Sequence, residues 1–86
     1  MSVTAELEAF IVDEITAGRG PASIAPDEDV LARGLIDSLG VTQLVAFIEE
    51  RYSVRVADDE LTPANFQSLA SIEALIARKR PEVRAW

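Results

Sequence analysis

The sequence predicts an all-α fold: a small four-helix bundle with three longer helices, one short helix and a long first loop. Three observations predict it. Apolar residues recur at helical spacing in three separate stretches, 3–17, 38–52 and 69–80. The chain has 86 residues, 49% of them hydrophobic, which suits one domain with a modest packed core. The stretch 19–37 has no clear period and is long for so small a domain, as functional loops often are.

The first helix, 3–17, sets Leu7, Phe10, Ile11 and Ile15 on one face behind Val3, with Glu6, Glu8, Asp13 and Glu14 mostly on other faces. Ser2 or Thr4 suits its start, and Gly18, Gly20 and Pro21 stop it. In the loop that follows, Ile24, Val30, Leu31, Leu35 and Ile36 are the residues expected to pin it to the helices. The helix 38–52 has the clearest pattern: Val41, Leu44, Val45, Ile48 and Tyr52 share a narrow arc, with Asp37 or Ser38 as the cap. Val54 and Val56 alternate with polar residues, so a short extended piece points both inward. A helical turn through Glu60 and Leu61 starts at Asp58 or Asp59, and Pro63 opens a second turn anchored by Phe66. Ser68 caps the last helix, whose stripe is Leu69, Ile72, Leu75 and Ile76. Arg78, Lys79 and Arg80 stand at its C-terminal end, where the macrodipole favours positive charge. Pro81 ends it. Residues 1–80 then form the domain, and 81–86 a loose tail.

Composition removes several classes of chemistry. There is no cysteine and no histidine, so a thiolate nucleophile, a Ser-His pair and a Cys/His zinc site are all excluded. The net charge of −7 argues against nucleic acid or an anionic membrane surface as partner. Four of the eight basic residues lie in the last nine positions, which leaves residues 1–77 at −10 and attractive to basic partner surfaces. No apolar run has the length of a membrane span, and residues 1–6 lack the basic and apolar regions of a signal peptide, so a cytoplasmic protein is expected. Asp27-Glu28-Asp29 lacks the alternating ligands, glycine and closing glutamate of a calcium loop and reads as a solvated acidic loop.

The informative stretch is Gly34-Leu35-Ile36-Asp37-Ser38-Leu39-Gly40. It places a serine where a loop meets a helix N-terminus, and a phosphate on that hydroxyl would be stabilised by outward-pointing amides and the positive helix end. Gly34 and Gly40 are expected to leave room around it. The plain alternative is that Ser38 is only a helix cap, in a non-covalent helical interaction module.

The wider pattern resembles the acyl carrier protein family of fatty acid, polyketide and peptide assembly lines. Asp37-Ser38-Leu39 matches the family's attachment motif. The following helix through Tyr52, then Val54 and Val56, Asp58-Asp59-Glu60, Phe66 and Leu69 continue the match over residues 3–78. The resemblance implies a carrier domain over residues 1–80 that is not an enzyme but a substrate of enzymes. A phosphopantetheinyl transferase, with coenzyme A and magnesium, would attach 4′-phosphopantetheine to Ser38, flanked by Asp37 and Leu39. The arm's thiol would hold an acyl or aminoacyl group as a thioester. Leu35-Ile36 stands where peptidyl carriers have paired glycines, and Pro63-Ala64-Asn65-Phe66 looks like discrete carriers, among them D-alanyl carriers and aminoacyl or short-acyl carriers of polyketide pathways. Gly40, Thr42 and Gln43 replace the acids that many fatty-acid carriers have after the serine. Implied partners are the transferase, a loading acyltransferase or adenylating ligase and a downstream synthase or transferase, all meeting a monomer.

The stripe opposite the buried arc of helix 38–52 contains Leu39, Thr42, Gln43, Ala46, Glu49 and Glu50. It is the expected partner surface, with Leu39 entering an apolar pocket and the two glutamates, partly relieved by Arg51, meeting Arg or Lys.

Overall fold

The computed structural model describes residues 2–79. It is all-helical: α1 (Val3–Phe10) runs on into a π-helical segment (Ile11–Ile15), followed by α2 (Ser38–Tyr52), a 3₁₀ turn (Asp58–Glu60), the short α3 (Pro63–Phe66) and α4 (Leu69–Lys79). Arg80 and the 81–86 tail lie outside the described residues.

The first helix departs from the expected continuous α-helix over 3–17. Its start is as expected, with the Ser2 hydroxyl accepting from the Ala5 N–H at 3.1 Å. Its end is not, and Thr16 supplies the reason. The Thr16 hydroxyl donates to the Val12 carbonyl, the acceptor its own N–H would use in an α-helix. The Thr16 N–H reaches back to Ile11 O at 2.9 Å instead, which widens the turn. The chain then reverses through positive φ at Ala17 (52°) and Gly18 (77°).

The core is drawn from every segment. Leu7 and Ile11, with Leu44, Ile48 and Tyr52 of α2 and Leu69, Ile72, Leu75 and Ile76 of α4, share one cluster, all buried. Val41 and Val45 are only half-buried on the flanks of α2, and the buried line runs at four-residue spacing through Gly40, Leu44, Ile48 and Tyr52. Phe10 of α1 stacks on Phe47 of α2 with centroids 4.4 Å apart, closing the outer seam between the two helices.

The long loop is fastened at several points. Ile24, Val30 and Ile36 are buried, while Leu31 and Leu35 pack against the core from a half-buried position. The Glu8 carboxylate accepts from the Ile24 N–H at 2.7 Å, so this α1 acid holds the loop as well as facing water. Val30 N–H donates to Gln67 O at 2.8 Å, and Ala70 N–H donates to Pro26 O at 2.9 Å, which ties the loop to the start of α4. The acidic run serves turns: Glu28 accepts from Ala25 N–H and pairs with Arg33, and Asp29 accepts from Ala32 N–H. Ser68 caps α4 through the Ser71 N–H at 3.1 Å, and Pro63 opens α3 with Phe66 buried, both as expected.

Candidate functional site

The loop delivers the chain to α2 at Asp37, and Asp37 is the cap: its Oδ1 accepts from the Gly40 N–H at 2.9 Å. Ser38 is the first helical residue. This decides between the two caps the sequence left open. The Ser38 side chain is exposed, and among the described residues no hydrogen bond holds its hydroxyl. The N–H groups at the start of a helix have no intrahelical partner, and the macrodipole there is positive. An exposed, uncommitted hydroxyl at such an end fits a phosphodiester.

Beside Ser38 an open groove of about 350 Å³ is lined by Leu31, Ser38, Val41, Thr42, Leu61, Thr62, Pro63 and Phe66. Among the described residues no charged side chain lines it. Thr42, on its edge, donates its hydroxyl to the Ser38 carbonyl at 3.1 Å. Leu61, on the groove wall, is 43% exposed, and Leu39, next to the serine, is 66% exposed. The sequence marked Leu39 but placed Leu61 only within a turn, since one leucine in an irregular stretch carries no period.

Gly40 does not leave room around Ser38 as expected. It is buried, and a Cβ there would stand 2.9 Å from Ile36 Cγ2 and 3.3 Å from Ile15 Cγ2. Its missing side chain admits the loop and the π segment to α2. Gly34, at φ 74°, serves the turn instead, with nothing near its missing Cβ.

On the expected partner stripe, Leu39, Thr42, Gln43, Ala46 and Glu50 are exposed. Glu49 stands apart. It is half-buried, and its Oε2 accepts from the Val56 N–H at 2.8 Å, so this acid fastens the segment after α2. Arg51 does not relieve the two glutamates. It pairs with Glu6 of α1 at 2.6 Å. The Tyr52 hydroxyl also donates to Glu6, and these bonds hold the Glu6 carboxyl below its ordinary value, Tyr52 contributing most and burial opposing. Glu60 is lowered likewise, by Lys79 first and then the Ala57 N–H.

The phosphopantetheine attachment site family model matches residues 15–78, which include α2, the groove and the Asp37-Ser38-Leu39 motif. The chain belongs to the phosphopantetheine-binding carrier protein family. Two solved structures agree in fold. One is KstB-PCP in its apo form, a peptidyl carrier protein 35% identical, with 86% of this chain and 81% of that chain covered and a TM-score of 0.69. The other is a chain from a crystal structure of an FAD-dependent dehydrogenase, 29% identical, with 80% and 96% covered and a TM-score of 0.73. No curated protein matches the chain.

The carrier domain is thus of the kind that bears a covalent 4′-phosphopantetheine. Such domains are typically not catalytic and interact with phosphopantetheinyl transferases and synthetic enzymes. Among the described residues no helix is long and apolar enough to cross a membrane, and no cluster of three or more His, Cys, Asp or Glu is placed to hold a metal ion.

Proposed function

We propose that Ser38 is the attachment residue, with Asp37 and Leu39 framing it, and that the arm carries an acyl or aminoacyl thioester for polyketide or related secondary metabolism. The observation that carries this reading is the division of labour at the start of α2. Asp37 supplies the cap, so the Ser38 hydroxyl is free of that task and, among the described residues, stands uncommitted at the positive helix end. That also weighs against a non-covalent module in which Ser38 is only a cap.

In the transferase reaction the Ser38 oxygen forms a bond to the pantetheine-side phosphorus of coenzyme A. The pyrophosphate bond breaks and releases the adenosine bisphosphate, and the serine proton passes to a base on the transferase. This chain supplies the hydroxyl, its placement and an electropositive helix end. The uncharged groove beside Ser38 supports a cargo or arm with apolar surface. The docking face is Leu39, Thr42, Gln43, Ala46 and Glu50, with Leu61 across the groove. It serves the transferase, a loading acyltransferase or adenylating ligase, and a downstream synthase or transferase, in the cytoplasm. Intact mass after incubation with coenzyme A and a broad-specificity transferase tests the assignment. Wild type gains one arm, and a folded Ser38→Ala gains none. Modification of folded Ser38→Ala would overturn it.

A further inference from the structure

We propose that Gly40 is a positioning residue for arm attachment: its bare Cα seats the first turn of α2 on Ile36 and Ile15 and thereby fixes where the Ser38 hydroxyl stands. The proposal rests on Ser38 being the attachment residue.

Glycine is a poor helix former, and Gly40 is not among the glycines with positive φ. Backbone freedom therefore does not explain it. Close approach does. Gly40 is the buried residue of a first turn whose neighbours Ser38 and Leu39 are exposed. An added Cβ would lie 2.9 Å from Ile36 Cγ2, 3.3 Å from Ile15 Cγ2 and 3.5 Å from Asp37 Oδ1. A contact under 3 Å requires something to shift, and the two isoleucines yield poorly. Both are branched at Cβ and stiff at χ1. Ile36 is 3% exposed, and Ile15 closes the π-helical segment that packs against α2. The cap is bound to the same spot, since the Gly40 N–H is the donor to Asp37. A methyl at position 40 therefore shifts the first turn away from Ile36, and the 3.5 Å approach to Asp37 Oδ1 is ordinary contact.

The consequence falls on Ser38 because nothing else places it. Its hydroxyl has no hydrogen bond among the described residues, and its side chain is exposed. The backbone of the first turn alone sets its position relative to the surface a transferase grips. A misplacement of about 1 Å in a reacting group can cost roughly a hundredfold in rate.

The test measures the steady-state kinetics of a broad-specificity transferase with coenzyme A, varying the concentration of the apo carrier. Gly40→Ala is expected to lower kcat about tenfold or more while keeping its helical spectrum. A purely structural role would reduce the folded fraction, which raises the apparent KM and leaves kcat at saturation unchanged. Ile36→Leu moves the branch away from Cβ and removes the methyl that the Gly40→Ala side chain would strike. Ile36→Leu alone is the reference for the double variant, whose kcat should recover well above that of Gly40→Ala. Ile15→Ala loosens the same seat without crowding it and keeps the proposal testable if Gly40→Ala does not fold. Its kcat should fall as well. Wild-type kcat in folded Gly40→Ala, no recovery in a folded double variant, or wild-type kcat in Ile15→Ala would each overturn the proposal. If Ser38→Ala still gains the arm, the attachment reading fails and takes this one with it. If Ser38→Ala is inert while Gly40→Ala reacts normally, only the positioning role fails.

Discussion

Glu49 and Glu50 are adjacent acids on one helix, yet the structure gives them different work, and charge reversal separates them. Glu49 accepts the Val56 N–H at 2.8 Å from a half-buried position. Glu49→Lys removes a charge-assisted bond and leaves that N–H to compete for water. Hydrogen bonds to charged groups contribute about 1.5–3 kcal/mol, and allowance for partial exposure brings the expected loss to about 1–2 kcal/mol. In a domain of this size each kcal/mol moves the thermal midpoint by about 4–8 °C, so Glu49→Lys should lower it by about 4–16 °C. Glu50 is exposed, and no hydrogen bond or ion pair holds it among the described residues. Glu50→Lys should stay within about 0.5 kcal/mol of wild type. The assay is thermal unfolding followed by circular dichroism at neutral pH, with Glu49→Gln as a third variant that keeps an acceptor oxygen. Glutamine should retain most of the stability. If Glu49→Lys melts like Glu50→Lys, or Glu49→Gln loses as much as Glu49→Lys, the bond to Val56 does not carry the difference.

The proposed docking face gives a second expectation, read by the loading rate of the pantetheinylated protein. Leu39→Ala should slow loading about tenfold at every ionic strength, whereas Glu50→Lys should slow it mainly at low salt, because an exposed charge acts on encounter and is screened beyond about 10 Å at 0.1 M. Equal loading of both variants at all salt concentrations would move recognition elsewhere. A third expectation concerns acid. The carboxyls of Glu6 and Glu60 are held below the ordinary value of 4.5, so the stability they contribute is fully present above that pH and is lost as pH falls through their lowered folded values. The thermal midpoint should therefore decline below about pH 4.5, and Glu6→Gln should flatten that decline. An unchanged acid slope in Glu6→Gln would remove Glu6 from the account.

Much of the fold is legible in the sequence because it is encoded by near neighbours. The helix 38–52 with Leu44, Ile48 and Tyr52 inside, the stripe of Leu69–Lys79, Ser68 before it, and Pro63 ahead of Phe66 each act within a few residues, and each appears in the structure at the expected place. The proposed attachment motif and the acidic composition are legible for the same reason, since composition and a three-residue motif require no folding to be read.

Tertiary structure decided what depends on residues far apart in the chain. The sequence allowed Asp37 or Ser38 as the cap, and only the loop's approach gave that task to Asp37. The helical period treats Glu49 and Glu50 as surface acids, but the backbone returning after Tyr52 brings the Val56 N–H to Glu49 alone. Glu8 meets Ile24 and Glu6 meets Tyr52 across 16 and 46 residues, contacts that no local pattern records. Gly40 shows the limit most plainly. Beside a serine, a glycine reads as space for the modification, and it is buried because Ile15 and Ile36, brought in by two other segments, fill the room where its side chain would be.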